Sequence, residues 1–151
     1  MKLRHPNPGD LAEIVALARL MHQESWFHGF DFDDQKVVDL IRAAMEDERY
    51  FPLVLEANDG GLGGFFLAAE TEHFFGKDRY ACDMALYLLP WVRGGVWFLR
   101  IMRAYEAWCA YRGVQEIHVG FSTGVNNKVT PDLYRRLGYE STVNAFRKKC
   151  V

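Results

Sequence analysis

Leu88-Leu89-Pro90-Trp91-Val92-Arg93-Gly94-Gly95-Val96-Trp97-Phe98 is the stretch on which the fold turns, read with Leu133-Tyr134-Arg135-Arg136-Leu137-Gly138-Tyr139 further on. In the first, an apolar β-type run stops at Pro90, two glycines follow, and a long amphipathic helix begins. Its apolar stripe is Phe98, Ile101, Met102, Tyr105, Trp108 and Cys109, with Arg100 and Arg103 off the stripe. Gly113 stands at the helix end as a C′ residue. Glycines ahead of a helix let backbone N–H groups approach an anion, and the helix dipole favours the anion's charge. The second stretch is a short helix ending in glycine just before a last apolar run.

Working outward, the remaining elements follow from periodicity and turn chemistry. Residues 1–5 read as a short strand, and Asn7-Pro8-Gly9-Asp10 as a turn and cap. Leu11, Ile14, Val15, Leu17, Ala18 and Met21 have helical spacing, ending near Ser25. Asp33 or Asp34 caps a second helix whose buried side is Val37, Val38, Leu40, Ile41, Ala44 and Met45. Phe51 to Glu56 reads as a strand, Asn58-Asp59-Gly60-Gly61 as a hairpin turn, Leu62 to Phe75 as the second arm, and Arg79 to Leu89 as a third strand. After the long helix, Val114 to Phe121 reads as a strand, Thr130/Pro131 to Leu137 as a short helix, and Tyr139 to Lys149 as a final strand. The order is β-α-α-β-β-β-α-β-α-β, without linker, repeat or low-complexity stretch, so residues 1–151 are expected to form one α/β (α+β) domain.

Composition narrows the function classes. Half of the 151 residues are apolar and 15% aromatic, which excludes a disordered chain. The net charge of −2 hides an asymmetry: residues 1–90 hold 16 acidic and 8 basic residues, residues 91–151 hold 4 and 10. A basic C-terminal half suits a phosphate-bearing ligand, and an acidic N-terminal half a cationic substrate or partner. Cys82, Cys109 and Cys150 form no CxxC or Cys/His cluster and read as reduced thiols. His5, His22, His28, His73 and His118 show no ligand spacing, so no metal is expected. With neither an apolar leader nor a run of transmembrane length, the expected compartment is the cytoplasm. Arg147-Lys148-Lys149 is too short a basic run to point to nucleic acid.

The two quoted stretches together resemble the GCN5-related N-acetyltransferase superfamily. Residues 80–139, including Gly120-Phe121-Ser122-Thr123-Gly124, look most like its phage- and prophage-type branch. The resemblance implies a mixed, mainly antiparallel twisted sheet flanked by helices. It also implies transfer of an acetyl group from acetyl-CoA to an amine, carried by a small molecule or a peptide; a homodimer is one expected assembly. Leu88-Leu89-Pro90-Trp91-Val92-Arg93-Gly94 fits the superfamily's Val/Leu-x-Pro-x-x-Arg-Gly pattern. Leu88, Arg93, Gly94, Gly95, Val96, Trp97 and Phe98 then occupy the positions that border coenzyme A. Val96 and Phe98 depart from the pattern, which has small residues there. Amide donation needs no side chain, so the cradle survives, but Phe98 reduces clearance at the pyrophosphate. Asn127, seven residues before Tyr134, sits where the superfamily often has a cofactor-binding Asn; Asn126 is its rival.

The resemblance makes Tyr134 the candidate acid, since the corresponding hydroxyl often lies near the coenzyme A sulfur. A phenol holds its proton at neutral pH and suits that role; filling space is its other reading. For the base the sequence offers Asp83, on the strand leading to Pro90, and Glu70, on the neighbouring arm with Glu72 on the same face and His73 on the other. Trp26-Phe27-His28-Gly29-Phe30, with Phe32, is either an apolar wall of the acceptor site or core. The alternative to an enzyme is a degenerate member serving as a binding or assembly module, with Val96 and Phe98 as its main support.

Overall fold

The computed structural model describes residues 1–120, 123–124, 130–142 and 146–150. Their elements run β1 (Lys2–Arg4), α1 (Leu11–Glu24), α2 (Asp34–Glu46), β2 (Tyr50–Glu56), β3 (Leu62–Glu72), β4 (Arg79–Leu88), α3 (Trp97–Arg112), β5 (Glu116–His118) and α4 (Thr130–Arg136). The sheet order is β1-β2-β3-β4-β5. The first four strands pair antiparallel and β5 pairs parallel to β4. The expected mixed, mainly antiparallel sheet is therefore present.

Local chemistry sets the boundaries. Asp33, not Asp34, caps α2: its Oδ1 accepts the N–H groups of Gln35 at 2.9 Å and Lys36 at 3.2 Å. Helix α3 ends at Gly113 (φ 67°), and the Val114 N–H returns to the Cys109 carbonyl at 3.3 Å, a Schellman closure. Pro52 is tolerated inside β2 because β1 pairs only as far as Val54, so beyond it the missing N–H breaks no ladder with β1.

The sheet is buried on both faces. Phe51, Leu53, Leu55, Phe66 and Ala68 meet Ile101, Met102 and Tyr105 of α3 and Tyr134 of α4. Val54, Phe65 and Leu67 meet Ile14 and Leu17 of α1 and Ile41 of α2. Alternation along β2 and β3 feeds both layers, as period-two side-chain direction requires.

Two expectations fail. Strand β5 spans Glu116–His118, not Val114 to Phe121. The final strand from Tyr139 to Lys149 is not formed by its described residues, 139–142 and 146–150. Tyr139 packs on the core, but Phe146 is 94% exposed and Arg147-Lys148-Lys149 follow. A strand needs a buried face to offset the cost of ordering it, and among the described residues of this run only Tyr139 packs on the core.

Candidate active site

A bulge in β4 builds the site. Ala68 pairs with Asp83 and Leu67 with Ala85, so Met84 has no opposite residue. Without that inserted residue, strict alternation would turn Leu86 and Leu88 to the α1/α2 face. With it, Asp83, Leu86 and Leu88 pair with Ala68, Phe66 and Gly64 and share the α3 face. Gly64 is required for this approach: a Cβ there would stand 2.5 Å from the Tyr87 carbonyl oxygen.

Strand β5 leaves β4 early. Their pairing covers Tyr80–Glu116, Ala81–Ile117 and Cys82–His118. From Asp83 to Leu88 the outer edge of β4 has no strand partner among the described residues, and a cleft of about 210 Å³ opens there. Asp83, Met84, Leu86, Leu88, Phe98 and Tyr134 line it, with Arg93 and Met21. Outward-pointing N–H groups of β4 therefore face the cleft rather than a neighbouring strand.

Asp83 and Tyr134 meet at the closed end. The Gly120 N–H donates to Asp83 Oδ1 at 2.9 Å, and Tyr134 Oη donates to the Gly120 carbonyl at 3.3 Å. Burial raises the half-buried Asp83 carboxyl to about 6, against the lowering effect of the Gly120 donor. Burial, and then the nearby Asp83 charge, pushes the Tyr134 hydroxyl well above the ordinary phenol range. The pair thus offers a proton acceptor poised near neutral pH beside a group that keeps its proton.

Glu70 stands elsewhere. It shares the face of Asp83 but lies two residues farther along β3 and does not line the cleft. Arg112 Nε and Nη2 donate to its two oxygens at 2.8 Å each, and Arg79 Nη1 donates at 3.0 Å. Those bonds, Arg112's first, hold its carboxyl below the ordinary glutamate range against its burial. A carboxylate so enclosed is a weak base and a structural anchor. Arg79 reaches it across the β3–β4 hairpin, and Arg112 comes from the end of α3, 42 residues along the chain.

The residues expected to form the cradle stand just ahead of α3 and in its first turn. Gly94 (φ 78°) and Gly95 form the turn, Val96 is the N-cap, and α3 begins at Trp97. The first helical bond is Arg100 N–H to the Val96 carbonyl at 3.0 Å, so the amides of Trp97, Phe98 and Leu99 lie outside the intrahelical ladder. No side chain caps them, and a Cβ at Gly94 would meet nothing within 4 Å. Backbone donors and open space suit a phosphate group. Trp97 is half-buried under the Arg100 guanidinium at 4.6 Å, and Phe98 narrows the cleft, its ring 5.5 Å from that of Tyr134. Asn127 and its rival Asn126 lie outside the described residues.

One network carries no local sequence signal. Arg93 does not point freely at the cradle. Its Nε donates to the Leu88 carbonyl at 2.8 Å and its Nη2 to Glu24 at 2.7 Å, while Tyr87 Oη donates to the other Glu24 oxygen. Burial alone would raise the Glu24 carboxyl, but the Tyr87 and Arg93 donors hold it low. The end of α1, the end of β4 and the cradle turn are thereby tied together. Trp26, Phe27 and Phe30 are exposed rather than core, and the Trp26 N–H donates at 3.0 Å to the carbonyl of Thr123, a residue of the cleft wall. Among the described residues no group of three or more His, Cys, Asp or Glu is placed to hold a metal ion, and no helix is long and apolar enough to cross a membrane.

Comparison with solved structures returns the same architecture, a mixed five-stranded sheet flanked by helices, which is the GCN5-related N-acetyltransferase fold. The aminoglycoside 6'-N-acetyltransferase AAC(6')-IG from Acinetobacter haemolyticus is 15% identical over 100% of both chains, with a TM-score of 0.72. AAC(6')-Iy, solved with the bisubstrate analogue CoA-S-monomethyl-acetylneamine, is 18% identical over 99% of this chain and 98% of that one, at 0.74. The ribosomal-protein-alanine N-acetyltransferase from Brucella melitensis biovar Abortus 2308 is 12% identical over 99% of both, at 0.71. No protein-family model matches the sequence, and no curated protein matches it.

Proposed function

We propose that the chain is an acetyl-CoA-dependent N-acetyltransferase acting on an amine. The observation that carries this reading is the open edge of β4 beside the uncapped start of α3, with Asp83 and Tyr134 converging on Gly120. The residues fit the cofactor. The amides from Gly94 to Phe98 would hold its pyrophosphate, the β4 edge through Leu88 would hold its arm, and bound acetyl-CoA would supply the acetyl group as a thioester. Asp83 Oδ, poised at about 6, accepts the proton of an incoming ammonium directly or through water. Tyr134 Oη keeps its proton at neutral pH and can release it to a departing thiolate. Outward N–H groups near Leu86 to Leu88 are placed to stabilise a developing oxyanion. Glu70 takes no part. Arg93-Gly94-Gly95 followed by bulky residues supports a place near the phage- and prophage-type branch.

The acceptor is a primary amine on a small molecule or peptide; two of the fold relatives are named for such acceptors, an aminoglycoside and a ribosomal-protein alanine. A panel of aminoglycosides, polyamines and peptide N-termini, assayed by thiol release from acetyl-CoA, tests the reading. Acceleration by one class supports it; no thiol release with any amine, from protein that binds the cofactor, contradicts it. The packing of Phe98 on Tyr134 favours a second reading, a binding module that has lost catalysis. Failure to bind acetyl-CoA would support that reading instead.

A further inference from the structure

A second cavity, of about 270 Å³, shares no wall residue with the cleft. Trp108 and Tyr111, near the C-terminal end of α3, line it, whereas the cradle lies at the other end, roughly 20 Å away by helix rise. With Tyr50 they form a ring-lined wall; Trp108 is fixed by stacking on Phe51 at 5.2 Å, and Tyr111 is 85% exposed.

The charge on the rim is unusual. Glu46, Asp47 and Glu48 gather where α2 ends, α2 has no basic residue in its last turn, and Arg112 also stands in the wall. Carboxylates at a helix C-terminus face the negative end of the dipole, the unfavourable sign. Arg49 answers Asp47 at 2.6 Å and Arg112 answers Glu48 at 3.1 Å, but Arg112 is committed mainly to Glu70. Glu46 has no ion pair or side-chain hydrogen bond with any described residue. Aromatic faces attract a cation through their quadrupole, and a quaternary ammonium asks for no hydrogen-bond acceptors from an apolar wall.

We propose that this cavity binds a small organic cation of the quaternary-ammonium class, its methyl groups against Tyr50, Trp108 and Tyr111 and its charge answered by Glu46 and the C-terminus of α2. The site is separate from the cleft, so its fate does not depend on the transferase reading.

Calorimetric titration with choline at constant ionic strength tests it, with 3,3-dimethylbutan-1-ol as the neutral isostere. Choline is expected to bind saturably in the millimolar range and the alcohol at least about tenfold more weakly. Tyr111→Ala and Glu46→Gln, both at exposed positions, should each weaken choline roughly two- to tenfold with unchanged melting. Absence of saturable heat at tens of millimolar choline, equal affinity for the alcohol, or full affinity in both variants would overturn the proposal.

Discussion

Asp83 and Tyr134 grip opposite sides of one residue: Asp83 accepts the Gly120 N–H at 2.9 Å while Tyr134 donates to the Gly120 carbonyl at 3.3 Å. They come from β4 and α4, and no local sequence pattern joins them. The relationship places a carboxylate raised to about 6 near a phenol that stays protonated, the pairing that the proposed transfer would use as base and acid.

Asp83→Asn should remove the base and keep an acceptor for Gly120. With the best acceptor of the panel, wild-type turnover should rise with pH through about 6 and then level off. The variant should lose that limb and roughly 10²-fold or more in rate. Stability follows the same group. A carboxyl raised in the folded state favours folding at pH below its unfolded value near 3.9, and that contribution is lost as pH rises through about 6. The variant should therefore melt higher than wild type at pH 8, with the gap closing toward pH 4. A gap independent of pH would refute the raised carboxyl.

Tyr134→Phe keeps the packing against Phe98 and Tyr139 and deletes one hydroxyl. Turnover should fall about 10²-fold or more while acetyl-CoA affinity barely changes. An effect under about threefold on the chemical step would leave Tyr134 as a filler of space.

Much of this was legible in the chain, for physical reasons. Helical stripes, capping aspartates, alternating apolar runs and turn residues are local signals, and they located the four described α-helices and the first four strands. Tyr134 and the Gly94–Phe98 turn were singled out by the family resemblance that their motifs carry. The bulge at Met84 was not legible, because an extra residue in a strand changes no composition. The Glu70–Arg112 and Glu24–Arg93 pairs were not legible either, because each joins charges more than 40 residues apart. The final strand was read from a run whose described apolar residues divide, Tyr139 packing on the core and Phe146 standing exposed.

Glu70→Ala should act on stability and not on the chemical step. Arg79 and Arg112 would lose a buried shared carboxylate, at a cost of about 3 kcal/mol. Because pairing lowers the Glu70 carboxyl, its contribution is present above the ordinary glutamate value and is lost as pH falls below it. Thermal melts from pH 7 to pH 3 should show the variant's deficit shrinking on acidification. A pH–rate profile that loses its acidic limb in this variant would instead make Glu70 the base.

Phe98→Ala separates the two readings of the cradle. The half-buried ring narrows the cleft beside Tyr134, so truncation should tighten acetyl-CoA binding and lower the melting temperature, at a cost of about 2 kcal/mol. Weaker binding by a folded variant would make Phe98 part of a working pocket and not an obstruction.

The central claim is that the start of α3 receives the cofactor pyrophosphate, and calorimetric titration of acetyl-CoA into wild type and Val96→Asp tests it most directly. Val96 is an exposed N-cap with no side-chain hydrogen bond. Val96 has helical φ and ψ (−75° and −9°), so an aspartate there acts through its charge: it faces the positive end of the helix dipole, which should hold stability, and it should repel a phosphate. The account expects saturable binding by wild type and at least about tenfold weaker binding by the variant, which melts no lower. No binding by wild type at millimolar acetyl-CoA, or equal binding by both proteins, would contradict it.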